Sequence, residues 1–363
     1  MHSIHRGKRR FAAIAAMGAT AIALSACSAA TPSETAEETP TSGVINLLSY
    51  SGIWEEEYRA AVIDPFIAEY PDITVNYVAK RSSAEMLSAL QAEKTRPSTD
   101  IAIMDVSVAD SGNEQGLFAK FSESDVPNVA NVADAFRNDD GYGPLVMLDS
   151  VAMLYDTDTF TTAPTSWDTL WDDEYAGRVN VVAAPSGLGI NLTAITADME
   201  GEDFTEGIEG ATARLKELAP NVQSWAPNPD EYQSVITGQT VLGVGQNARG
   251  QYYADQSDGK LGVAIPTEGT VYQMNAINLL AEAPNSAAAK TFIDYALSPE
   301  AQAAFAGALF YAPSITNVEL APEVVDRIVH TDGSINIIPV DQKWLATVRE
   351  EWTDIWKREI IGG

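Results

Sequence analysis

Between residues 44 and 104 the apolar positions switch repeatedly between strand and helix periods, and this alternation restricts the chain to an α/β fold. Residues 44–48 read as a strand. Residues 54–70 follow with Tyr58, Val62, Phe66 and Ile67 at helical spacing and Asp64-Pro65 as a cap and restart. Residues 73–78 alternate like a second strand, Ser82-Ser83-Ala84-Glu85 is a capping box, and Met86, Leu87 and Leu90 mark the buried face of the helix it opens. Residues 101–104 form a third, wholly apolar strand. The order predicts a largely parallel sheet covered by helices, with ligand loops at the strand ends, here at Ser49, Ala79 and Asp105. A second such lobe is expected from strand 179–184, the turn Pro185-Ser186-Gly187-Leu188-Gly189, a helix to Met199, a helix over 208–219 and strand 240–244. Two extended apolar segments, 150–156 and 271–280, sit where the chain would cross between lobes. The predicted division is 44–152 with 275–325 for the first lobe and 153–274 for the second. Residues 326–363 form a C-terminal helical segment packed on both, with Trp344, Val348, Trp352 and Trp356 spaced by four.

What the chain lacks narrows the chemistry. Histidine occurs only as His2, His5 and His330, so a multi-histidine metal site is excluded and any triad would have to use His330. Cys27 is the sole cysteine, leaving no disulfide or thiolate cluster. Lysine and arginine number 22 against 51 acids, a formal charge of −29 that repels a phosphate backbone, so nucleic acid is not a partner. At 363 residues with 45% hydrophobic content the chain is globular and long enough for two lobes.

Arg6, Lys8, Arg9 and Arg10 precede an apolar run over 11–24, too short to cross about 30 Å of hydrocarbon, and residues 1–26 read as a signal peptide. It ends in Leu24-Ser25-Ala26-Cys27, which resembles the lipobox of bacterial lipoproteins, so Cys27 is the expected lipidation site. Residues 27–43 carry no large apolar residue and are expected to be a flexible tether, with a random-coil span of roughly 20–25 Å. An exported body anchored on the outer face of the cytoplasmic membrane follows.

Thr165-Ser166-Trp167-Asp168-Thr169-Leu170-Trp171 and the continuation Asp173-Glu174-Tyr175-Ala176-Gly177-Arg178-Val179 resemble a signature of the solute-binding lipoproteins of bacterial ABC importers. Asp64-Pro65-Phe66, Gln115-Gly116-Leu117, Gly243-Val244-Gly245-Gln246-Asn247 and Tyr311-Ala312-Pro313 fit the same family, nearest its spermidine/putrescine-binding branch. The resemblance, over about residues 44–363, implies a type II periplasmic-binding fold: two lobes, each a mixed, mostly parallel sheet flanked by helices, hinged by crossover strands. It implies a monomer that closes over a small solute and hands it to a membrane permease, with no catalysis, no cofactor and no metal. Carried over, the cleft would include Trp54, Asp105, Ser107, Asp149, Gln246, Asn247, Tyr272, Gln273, Asn275 and Tyr311.

A polyamine needs spaced carboxylates and aromatic faces, which Asp105, Asp149, Trp54, Tyr272 and Tyr311 supply. Two departures point elsewhere. Gln273-Met274-Asn275 stands where polyamine binders of the family carry Trp-x-Asp, and Gln246 replaces an aromatic, with Arg249 one turn on. Ser186 and Gly187, at the start of a helix, offer backbone N–H groups to an anion. An anionic or zwitterionic solute is therefore the alternative. From other classes, Gly243-Val244-Gly245-Gln246-Asn247-Ala248 matches a dinucleotide motif in poor context, an exported glycoside hydrolase would need only a carboxylate pair, and a scaffolding lipoprotein would lack a deep cleft.

Overall fold

The computed structural model describes residues 42–362; the expected signal peptide, Cys27 and the tether up to residue 41 lie outside them. Strand β1 (Ser42–Tyr50) begins at Ser42, inside the segment expected as tether, and buries Ile45, Leu47 and Leu48. The helical run that follows is α1 (Ile53–Tyr58), a π-helical turn (Arg59–Ile63) and α2 (Asp64–Glu69). Pro65 has no N–H for the preceding turn, and the wider π turn lies where an α-helix would have required one. Strand β2 (Asp72–Lys80) alternates exposed and buried at its start, as an edge strand does, with Ile73 and Val75 inward. The Ser82 hydroxyl caps α3 (Ser83–Glu93) by accepting from the Glu85 N–H at 3.2 Å. Strand β3 (Ile101–Asp105) is buried over its first four residues and leads directly into α4 (Val106–Glu114).

Strand β4 (Leu145–Asp156) is longer than expected and organises the molecule. Next come β5 (Val179–Asn180), α5 (Gly187–Met199), α6 (Glu209–Glu217), β6 (Val222–Ser224), α7 (Glu231–Ile236), β7 (Leu242–Gln246), α8 (Asn247–Gln256) and β8 (Leu261–Ala264). Strand β9 (Tyr272–Leu279), α9 (Ser286–Ala296), α10 (Pro299–Leu309), β10 (Ala312–Pro313), α11 (Pro322–Val325) and α12 (Gln342–Ile355) complete the described order. The strands form one ordered path, β2-β1-β3-β9-β4-β7-β5-β6, with β8 and β10 also on β4. Each end of the path is a parallel triplet and every pairing of β4 and β9 is antiparallel, so the sheet is mixed, as expected, with its antiparallel pairings gathered at the crossover strands. Strand β5 also stops four residues short of the expected 184.

Along β4 the partners change between Ser150 and Val151: up to Ser150 the strand pairs with β9, and from Val151 with β7. The hydrophobic core divides the same way. One part, around Ile45, Trp54, Phe66, Ile103, Phe292 and Phe305, packs beneath the β1–β3 half. Another, around Val151, Trp167, Leu192, Val244, Trp352 and Trp356, packs beneath the β5–β7 half. Helix α5 is buried on nearly every face because α6 and α12 cover what the sheet does not. The signature tryptophans belong to this second core: Trp167 donates to the Gly269 carbonyl at 2.8 Å, and Trp171 to that of Arg214 at 2.7 Å. No helix among the described residues is long and apolar enough to cross a membrane.

Candidate functional site

The carboxyl ends of β1, β3 and β7, the middle of β4 and the start of β9 converge on a cavity of about 400 Å³ between the two halves. All the expected cleft residues line it except Asn247. That residue opens α8 with its amide turned away, donating to the Arg327 carbonyl at 2.8 Å. Sequence reasoning did not select Tyr50, Ser83, Arg81, Glu231 or Arg349, which also line the cavity. The signal for the first two was present, since Tyr50 ends β1 beside the flagged loop and Ser83 belongs to the flagged capping box.

On the first half, Asp105 is exposed to the cavity and held by a network. Its Oδ1 accepts from the Tyr50 hydroxyl at 2.9 Å and from Asn275 Nδ2 at 3.2 Å, and its Oδ2 accepts from the Ser83 hydroxyl at 2.9 Å. Burial, followed by the Asp105 charge, pushes the Tyr50 hydroxyl well above its ordinary pKa, so it stays a donor. Asn275 pairs with Asp105 across β3 and β9. A carboxylate at position 275 would set two like charges about 3 Å apart, and the amide donates instead.

Trp54 has a double position. It faces the cavity, yet it is 2% exposed, stacked on Tyr58 at 4.5 Å and edge-on to Phe305 at 5.5 Å. Tyr311 stacks on Phe305 at 5.5 Å, and the Tyr272 hydroxyl donates to the His330 carbonyl at 2.8 Å. Across the cavity, Gly187 and Ser186 sit at the start of α5, with the Ser186 hydroxyl accepting from the Leu188 N–H at 3.3 Å. A Cβ at Gly187 would lie 3.6 Å from the Gln273 amide, so the two halves approach closely there. Gln273 in turn accepts a hydrogen bond from the Gln246 amide.

Asp149 lies at the crossing point of β4, paired with Gln273, and is 1% exposed. Its Oδ1 accepts from the Ser150 N–H at 2.7 Å and, from the other half, the Ala248 N–H at 2.9 Å. Its Oδ2 is buried without a hydrogen-bond partner. Burial raises the carboxyl to a pKa of about 7, against the opposing pull of those two N–H groups and of Arg249. Burial likewise raises Glu231.

Three arginines line the cavity, and two are committed elsewhere. Arg81 pairs with Glu85 at 2.7 Å, and Arg349 donates to the Pro185 carbonyl at 3.2 Å. Arg249 is half-buried and has no hydrogen bond or ion pair within 4.0 Å among the described residues. Formal charge in the lining is balanced, with Asp105, Asp149 and Glu231 against Arg81, Arg249 and Arg349.

The glycine-rich end of β7 does follow a strand and open a helix, as a dinucleotide motif should. Its glycines serve packing, because a Cβ at Gly243 would meet the Asn180 side chain at 2.9 Å and one at Gly245 would meet Leu154 at 2.8 Å. The helix start is already occupied by the Asp149 carboxyl, which a pyrophosphate would have to displace.

The fold and the cleft between its halves define the class of the periplasmic solute-binding proteins. A solved extracellular solute-binding protein from Bordetella parapertussis superposes with a TM-score of 0.74 at 22% identity, covering 87% of this chain and 98% of the other. Residues 61–330 match the model of the bacterial extracellular solute-binding proteins, and the chain belongs to that family. The gamma-aminobutyric acid-binding protein of Pseudomonas aeruginosa is 28% identical over 231 residues, 61% of this chain. That match spans 63% of the relative, less than two thirds of its length. The spermidine/putrescine-binding periplasmic protein of Escherichia coli is 25% identical over 291 residues, 77% of this chain and 82% of the relative.

Proposed function

We propose that the protein is the solute receptor of an ABC importer and that its solute is a small zwitterion whose carboxylate is bound by Arg249. The observation that carries the choice of solute is the unpaired guanidinium of Arg249 in the cavity wall. A half-buried guanidinium with no protein anion on it keeps its donors for a ligand, and a bidentate carboxylate is the ligand its planar fork fits best. The polyamine expected from the resemblance would instead bring ammonium groups against that charge. Balanced formal charge in the lining favours a ligand that carries both signs, and a gamma-aminobutyric acid-binding relative is consistent with one. The hydrolase alternative is disfavoured because residues 61–330 match a family of solute-binding proteins and Asp105, the second carboxylate of the wall, has both oxygens occupied by hydrogen bonds. Export and anchoring through a lipidated Cys27 belong to the same reading, as do delivery to a permease and a monomeric receptor.

A thermal-shift and calorimetry series with 4-aminobutyrate, other amino acids, organic acids, putrescine and spermidine tests it. A ligand at 100 times its Kd adds about 2.7 kcal/mol of stability. Zwitterions should give the shift, and Arg249→Met should remove it. A response confined to putrescine or spermidine, unharmed by that substitution, would refute the reading.

A further inference from the structure

The cavity holds a second group as incompletely satisfied as Arg249. An ionised carboxylate has about four lone-pair positions for donors. Asp149 uses one oxygen for two backbone N–H groups, one on its own strand and one at the first turn of α8, and leaves the other buried and empty. Such an oxygen is tolerated in a dry site when a proton or a ligand's donor occupies it.

The groups facing Asp149 narrow that choice. From α8 comes Arg249, whose charge acts on it without an ion pair; from α7 comes the Tyr232 hydroxyl, and from the segment after α10 comes Tyr311. Gln273, opposite on β9, is neutral and bonded to Gln246. Both tyrosines are raised by burial and remain neutral. Glu231 acts electrostatically on Arg249 and Tyr232. Tyr311 feels the charges of Asp149, Arg249 and Asp105 together, and all four line the same cavity.

We propose that Asp149 determines specificity by reading the amino group of the solute: its free Oδ2 accepts an ammonium N–H while Arg249 holds the carboxylate, and binding requires the carboxylate form. This deepens the zwitterion reading and rests on it. In the empty cavity at neutral pH Asp149 is in part the neutral acid. Binding then transfers its proton to solvent, and Asp149–COOH with R–NH₃⁺ becomes the pair COO⁻···H₃N⁺–R. The ligand's charge replaces the proton, and affinity rises with pH until the apo carboxyl is fully ionised.

The test is calorimetry on the full-length protein with 4-aminobutyrate at pH 5.5 and 8.5, and with butyrate, which has no ammonium, in parallel. With the apo carboxyl at about 7, the Kd for 4-aminobutyrate should be about 30-fold weaker at pH 5.5. Butyrate should not weaken on acidification. Asp149→Asn should abolish the pH dependence and weaken 4-aminobutyrate more than tenfold at pH 8.5. Should that variant not fold, buffers of different ionisation enthalpy decide on the wild type: release of about half a proton at pH 7 is expected, and none would overturn the proposal. A Kd for 4-aminobutyrate constant within twofold over this pH range also overturns it, leaving Arg249 and the zwitterion untouched. Absence of 4-aminobutyrate binding at both pH values counts against the zwitterion reading itself.

Discussion

Replacing Asp149 by asparagine should make the ligand-free protein more stable, by an amount that grows with pH. A carboxyl at about 7 in the folded chain, against the usual 3.8, binds a proton more tightly when folded than when unfolded. The stabilisation from the protonated form is fully present below the unfolded pKa and is lost as pH rises through about 7. Between pH 4.5 and 8 the wild type should lose on the order of 3 kcal/mol through this group, at 1.36 kcal/mol per pKa unit of difference. Asparagine keeps the oxygen that accepts from Ser150 and Ala248 and carries no charge, so it escapes that loss. Urea unfolding of both proteins at pH 4.5, 6, 7 and 8 gives the quantity directly, because the other titrations cancel in the difference. The variant's advantage should increase by about 3 kcal/mol across the series. A difference that stays flat would show that Asp149 remains ionised throughout and that the burial argument is wrong.

Trp54→Ala should destabilise the protein by about 3–5 kcal/mol in urea unfolding, since the ring is packed among Tyr58, Tyr50 and Phe305; a loss under 1 kcal/mol would place the ring outside the core. Gly189→Ala should cost at least about 2 kcal/mol and blunt binding, because its Cβ would lie 2.4 Å from the Ala184 nitrogen in the turn that presents α5; near-neutral stability would show that the turn yields easily. Cys27→Ala should move the protein from the membrane to the soluble fraction, and unchanged membrane recovery would refute the lipobox reading.

The strands and helices that pack by simple periodicity were legible in the sequence. Ile101 to Met104, the capping box at Ser82 and the restart at Pro65 all read from local chemistry alone. Strand β4 did not, because its apolar run is broken by Asp149, which looks like a strand end. The interruption marks the cleft, where satisfying the pattern and building a polar site conflict. Helix α4 was legible only at its end, Gln115-Gly116-Leu117, since Ser107, Asp110, Ser111, Gly112 and Asn113 are weak helix formers and tertiary packing overrides them. For the site, loop position pointed to Asp105 and residue type to Arg249, while Tyr311 came from the family resemblance. The hydrogen bonds that hold Asp105 come from Tyr50, Ser83 and Asn275, spread over 225 residues of sequence and brought together only by strand order.

Strand β9 lies between β3 and β4, so the sheet of the first half is incomplete until residues 272–279 have been added. The Asn275–Asp105 contact closes a separation of 170 residues. Contacts so distant in sequence make assembly slow, because chain entropy must be spent before they form. A chain emerging on the outer side of a membrane would therefore hold β1, β2 and β3 without their central neighbour until the second half had passed through. Residues 157–264, whose strands pair among themselves and with β4, have no such wait. Order of synthesis and order of sheet completion are thus inverted: the later strands can complete their pairing first, and the cleft gains its first wall only once β9 has been placed.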